Sequence, residues 1–161
     1  MTIHTYDNDI IAWANEQAHL LRSGRFDCLD IAHLAEEIED VGKSEQREFA
    51  HRMAVLLTHL LKWHYQPARR SSSWECTIRE QRRALLRRLQ KTPSLKTCLD
   101  DSDWWEDVWL DARTETVKET GIKFDQFPAI CSWTPSDVLT PEWLPESFTK
   151  SCYLPKNNAK R

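Results

Sequence analysis

The sequence predicts an all-α protein, a bundle of four to five amphipathic helices with an irregular C-terminal tail wrapping it. Three observations carry this. Apolar residues recur at spacings of three and four through most of the first 120 positions, the pattern that lines one face of a helix. The only three glycines, Gly24, Gly42 and Gly121, all fall where a helical pattern pauses, as C-cap glycines do. Five of the seven prolines lie after Lys123, which confines the segment hostile to helix to the C-terminal quarter.

The first helix is expected between Asp7 and Ser23, with Ile10, Ala14, Ala18 and Leu21 as its apolar stripe and Trp13 beside it. From about Asp30 the series Ile31, Leu34, Ile38, Val41 builds a second helix. Beyond Gly42 the residues Phe49, Met53, Leu56, Leu57, Leu60 and Trp63 continue the same period. Ser44 followed by Arg47, not an acid, makes only half a capping box, and two helices in near-continuation are expected here, separated at Gly42. Pro67 ends the run because proline restricts its predecessor and has no amide to donate. Serines 71 to 73 offer the next N-cap, with Ser72 and Glu75 as the capping box of a third helix striped by Trp74, Ile78, Leu85 and Leu89. Pro93 opens a fourth helix that Leu95, Leu99, Trp105, Val108, Trp109, Ala112 and Val117 carry to Gly121, leaving Trp104 outside the stripe. In the tail, Phe124, Phe127, Ile130, Trp133, Leu139, Trp143 and Leu144 are isolated anchors, and a short helix is expected at Pro135 to Leu139 behind Thr134.

The 161 residues read as a single domain, since a chain of this length buries about 70% of its unfolded surface. Its expected parts are a bundle at about 6–121, a docking tail at 122–155 and a frayed end at 156–161. Hydrophobic residues at 40%, charged residues at 29% and eight tryptophans exclude a disordered chain. The N-terminus has neither a basic lead nor an apolar core, and no run reaches the ~18 apolar residues of a membrane span. A cytoplasmic location without a membrane partner is therefore expected. Five scattered cysteines, none in a CxxC pair, read as free thiols in a reducing compartment, not as a zinc site or disulfide framework.

Charge is the sequence's strongest local signal. Between Lys62 and Lys91 nine lysines or arginines face two acids, with Trp63, Tyr65 and Trp74 interleaved, which resembles a grip for nucleic acid. The flanking segments oppose it: 27–48 holds eight acids against two bases, and 95–119 eight against three. Sequential helices joined by short turns are spatial neighbours, so the basic helix is expected chiefly to pair internally. On the wheel of the third helix Leu85 and Leu89 lie within about 20° of Ile78 and Arg82 at about 40°, which places Arg82 toward the core. A buried guanidinium needs a partner, and Glu37, at the edge of the apolar arc of "LAEEIE", is the expected one for Arg82 or the adjacent Arg79.

Other chemistry finds little support. Two Glu-x-x-His strings, Glu16 with His19 and Glu48 with His51, have the spacing used in metal-binding bundles, but both point away from their apolar stripes. His59 and His64 read as surface or cap histidines. Cys76 follows a helix cap, where a thiol pKa is lowered, yet packing is the simpler role. No phosphate loop and no GxSxG elbow occurs. No catalytic residue, metal ligand or cofactor is assigned.

The strings "AWANEQAHLLRSGRFDCLD", "LAEEIEDVGKSEQRE", "LLTHLLKWHYQP", "SWECTIREQRR" and "FPAICSWTPSDVLTPEWLP" together resemble the bacterial family known as domain of unknown function 29, common in cyanobacteria. The likeness runs in order from about Tyr6 to Pro145. It implies an all-helical fold in a bacterial cytosol and no particular activity. His59 fits the family pattern; His19, His51 and His64 do not, and Ser132 stands where proline is more usual. The function expected is a non-enzymatic protein-interaction or regulatory module, adaptor or antitoxin-like, with another protein as partner. Nucleic-acid binding through Lys62, Arg69, Arg70, Arg79 and Arg83 is one alternative. An enzyme using Glu37 with Arg79 or Arg82 between the second and third helices is another. Glu37, Lys62, Arg69, Arg70, Trp74, Arg79 and Arg82 are the candidate binding residues.

Overall fold

Asp9 opens the first helix by accepting a hydrogen bond from the amide of Ala12, and α1 runs Ile10–Arg22. This and all that follows is described from a computed structural model covering residues 5–146; the expected frayed end, the far part of the tail and Cys152 lie outside the described residues. Every regular element among them is helical: α2 Ile31–Tyr65, α3 Ser72–Lys91, α4 Lys96–Leu99, α5 Ser102–Thr120 and α6 Pro135–Leu139, with short 3₁₀ turns between. The all-α prediction holds.

Three boundaries differ from expectation. Helix α2 is a single element of 35 residues that passes through Gly42 without a break. Glycine costs a helix about 1 kcal/mol but does not end one, and no residue nearby caps a new start. The cap of α3 is Ser71, whose hydroxyl accepts from the amide of Trp74, so the expected box at Ser72 sits one residue too late. The expected fourth helix divides at Asp100, because the Asp101 carboxylate accepts from the amides of both Asp103 and Trp104 and starts α5 afresh. Gly121, at φ +73°, closes α5 in the left-handed conformation that glycine adopts without strain. Thr134 caps α6 in a reciprocal box with Asp137, as the sequence indicates.

The structure forms two compact units, Met1–Glu45 and Gln46–Arg161, divided within α2. In the second, Phe49, Met53, Leu56, Leu57, Leu60 and Leu61 of α2 meet Ile78, Leu85 and Leu89 of α3, Val108, Trp109 and Ala112 of α5, and Phe127, Val138 and Leu139 of the tail. The tail docks by polar contacts as well: the Trp109 indole donates to the Pro128 carbonyl at 3.0 Å and the Arg113 guanidinium lies 3.9 Å from the Phe124 ring. Ile130, expected as an anchor, is exposed. Trp104 is half-buried and stacks on Phe49 with ring centroids 5.5 Å apart, so it belongs to the core the wheel excluded it from.

In the first unit the buried face of α1 is Trp13, Gln17 and Leu20, whereas Ile10 and Leu21 of the expected stripe are exposed. Hydrogen bonds select that face. The Trp13 indole donates to Asp30 Oδ2 at 3.0 Å, and Gln17 Oε1 accepts from the Asp30 amide at 2.8 Å. The stripe expected to bury the start of α2 is open too: Ile31 is 68% exposed, Ile38 71% and Val41 68%.

Candidate functional site

Arginines at i, i+4 and i+8 share one helix face, and Arg79, Arg83 and Arg87 line such a row along α3. Beside the row lie Ile78, Arg82 and Leu86, and across from it Pro141, Glu142 and Leu144, the turn and irregular segment after α6. Together they enclose a groove of about 360 Å³ with an apolar floor, a rim of three arginines and a fourth, Arg82, beneath it, against only Glu75 and Glu142. Among the described residues no ion pair or side-chain hydrogen bond engages Arg79, Arg83 or Arg87.

Arg82 builds the groove's second wall. It is buried at 5% exposure; its Nε donates to the Val138 carbonyl at 2.7 Å and an Nη to the Trp143 carbonyl at 2.5 Å. The wheel thus placed Arg82 correctly toward the core and named the wrong partner. Backbone carbonyls satisfy its donors but not its charge, and burial lowers its pKa while the Glu142 carboxylate pulls it back up. Glu142 adopts φ +64°, a left-handed conformation that costs a non-glycine residue free energy, at the turn Arg82 ties down.

Glu37 is the acceptor of the Tyr6 hydroxyl at 2.5 Å, so the expected Glu37 to Arg82 pair is replaced by two separate attachments. The Tyr6 phenol is pushed up to about 12 by that hydrogen bond, with burial and the Glu37 charge adding to it. Lys62 is buried, bonded to Glu119 of α5 at 2.5 Å and set 4.8 Å from the Trp74 ring, so it is an internal contact and not a rim cation. Arg70 lies 4.6 Å over the Trp63 ring and donates to the Trp63 carbonyl; of the two turn arginines expected to reach outward, only Arg69 is exposed. Trp74 is half-buried against the core. Arg88 pairs with Glu48 at 3.6 Å. Internal pairing therefore takes Lys62 and Arg88, while Arg79, Arg83 and Arg87 of the same basic segment turn to the groove.

Two further clusters went unread in the sequence. In the first unit Asp30 caps the start of α2, and the His33 ring, stacked on Tyr6 at 4.3 Å, returns a 2.7 Å contact to its carboxylate. Hydrogen bonding to Asp30 raises the His33 pKa, and the same bond lowers that of Asp30. In the second unit a cleft of about 520 Å³ between α2 and α5 carries His51, His59, Asp111, Glu115 and Lys118. Burial pushes His59 down, and its Nδ1 lies 2.9 Å from the Val55 carbonyl, so it is half-buried instead of the surface group expected. That lining sets both charge signs around an apolar patch of Ala50, Ala54 and Val55, and Lys118 already reaches Glu115 at 3.3 Å, which leaves no rim of a single charge. Among the described residues no three His, Cys, Asp or Glu side chains converge on a metal-sized site.

The arginine row is visible in the sequence at four-residue spacing; the opposing wall comes from residues more than fifty positions away, which no local pattern foretells. Among the described residues no helix is long and apolar enough to cross a membrane. The model of the family described as "Domain of unknown function DUF29" matches residues 5–144. No curated protein and no solved structure matches the chain.

Proposed function

The chain belongs to the DUF29 family, and from that premise we propose that it is a cytoplasmic protein-interaction module whose α3 groove holds an acidic, amphipathic helical segment of a partner protein. The observation that carries this is the pairing of an apolar floor, Ile78, Leu86 and Leu144, with a rim of three arginines that lack carboxylate partners among the described residues. A helix laid in such a groove buries its apolar face on the floor and offers carboxylates to guanidiniums whose planar forks fit them. Adaptor and antitoxin-like roles are both consistent with that mode. A nucleic acid fits the groove less well: Lys62 and Arg70 are held inward, Trp63 is buried and Trp74 half-buried, which leaves little of the stacking surface a single strand needs.

The test is an anisotropy titration of a labelled helical peptide with leucines at i, i+3 and i+7 flanked by glutamates. The same peptide with lysines for glutamates and a single-stranded oligonucleotide run in parallel. The acidic peptide binds, the lysine peptide does not, and Arg83→Glu with Arg87→Glu abolishes binding in a chain of unchanged circular dichroism. Preference for the oligonucleotide, with affinity falling steeply as salt rises, would replace this reading with phosphate recognition.

A further inference from the structure

An acidic amphipathic helix of the kind the groove suits is present in the chain itself. Within α2, Ile31, Leu34, Ile38 and Val41 recur at i, i+3, i+7 and i+10 and fall within about 80° of one another on the wheel. They form one stripe. Ile31, Ile38 and Val41 are each about two-thirds exposed or more, an unusual fate for β-branched residues on an amphipathic face. Glu36, Glu37, Glu39 and Asp40 lie outside the stripe, and from Ile31 to Glu45 the bases are His33 and Lys43, the latter 3.7 Å from Glu39 and 3.9 Å from Asp40.

Resting on the reading of the groove given above, we infer that the chain self-associates, residues 31–41 of one copy lying in the arginine-lined α3 groove of a second. Three features support the match. The stripe is about 15 Å long at 1.5 Å per residue, and the arginine row from Arg79 to Arg87 about 12 Å, so one spans the other. The stripe's leucine and isoleucines face the groove floor, where Leu86 and Leu144 are each more than one-third exposed, so that each surface supplies apolar cover to the other. The charges are opposite: a segment with acids on its flanks meets a rim of unpaired guanidiniums. A like-to-like pairing of two stripes would instead bring acidic flanks together, and a pairing of two grooves would oppose arginines.

Because the two surfaces are different, two copies either exchange stripes reciprocally in a closed dimer or join head-to-tail, each bound copy then leaving one surface open for the next. Sedimentation velocity of the full chain therefore shows dimers or larger species, their share growing with concentration and shrinking with salt. Arg83→Glu with Arg87→Glu removes the groove, and Ile38→Asp with Val41→Asp removes the stripe; all four positions are exposed, and circular dichroism checks that both chains remain helical. Each variant alone is monomeric, and an equimolar mixture forms a one-to-one complex and nothing larger, since only one intact pair of surfaces is present. A wild-type chain that stays monomeric at its highest soluble concentration overturns self-association, as does an oligomer that survives in either variant. If the wild type is monomeric while the acidic peptide still binds and is lost in the groove variant, the groove reading stands and only the identity of its occupant fails; if neither associates, both fail.

Discussion

Taking a guanidinium out of water is costly unless its donors are met, and Arg82 meets them with the carbonyls of Val138 and Trp143. Replacing Arg82 with methionine keeps much of the volume and leaves both carbonyls without this donor; unfolding in urea is expected to show a loss of about 2–4 kcal/mol. Peptide binding in the groove falls as well, although Arg82 sits beneath the rim, because the 141–144 wall is no longer tied to α3. In the first unit the pair formed by Asp30 and His33 gives a pH signature. Its His33 share is complete below the ordinary histidine value of 6.5 and is lost as pH rises through the raised value; its Asp30 share is complete above 3.8 and is lost as pH falls through the lowered value. The pair thus stabilises most between those two ordinary values. An NMR titration of the His33 ring is expected to give a midpoint above 6.5 that returns toward it in Asp30→Asn. Both groups are about one-third exposed, so solvent screening keeps the effect on stability small.

At the scale of the element, α2 contradicts the rule that glycine marks an end. Gly24 and Gly121 take positive φ and close their helices, whereas Gly42 is helical, and a methyl group added as its Cβ would meet nothing within 4 Å. Gly42→Ala is therefore expected to stabilise the protein by about 0.5–1 kcal/mol, read as a higher urea midpoint with an unchanged slope. A destabilised variant would mean that the helix needs the glycine after all. What separates the stops from the continuation is capping. Asp101 satisfies two amides and starts α5 afresh, while Ser44 with Arg47 offers the backbone no comparable alternative.

Across the whole molecule, buried apolar area is unevenly spread. The Gln46–Arg161 unit holds the large core that Phe49, Met53, Leu56 and Leu57 anchor at 0% exposure; the described part of the Met1–Glu45 unit buries Trp13, Gln17 and Leu20. Local opening follows buried contact, so amides of α1 are expected to exchange faster by orders of magnitude than those of 53–61 in hydrogen-exchange mass spectrometry. Equal protection of both segments would show that something further covers the first unit. Self-association is one such cover, and protection of 31–41 that rises with protein concentration is the form it takes.

The sequence by itself determined the helical class, the core stripe from Phe49 to Trp63, the cap at Thr134 and the inward turn of Arg82, because each rests on spacing within one helix or on a cap a few residues wide. It also displayed both halves of the proposed interface, the arginine row and the acidic stripe. The tertiary structure decided what those patterns meet. It gave Arg82 carbonyls in place of Glu37, gave Glu37 to Tyr6, drew Lys62 inside, selected the polar-linked face of α1 over the apolar one, and left Ile31, Ile38 and Val41 uncovered. Periodicity states which residues share a face; which face is buried depends on partners distant in sequence, and those are set by packing and hydrogen bonding of the whole chain.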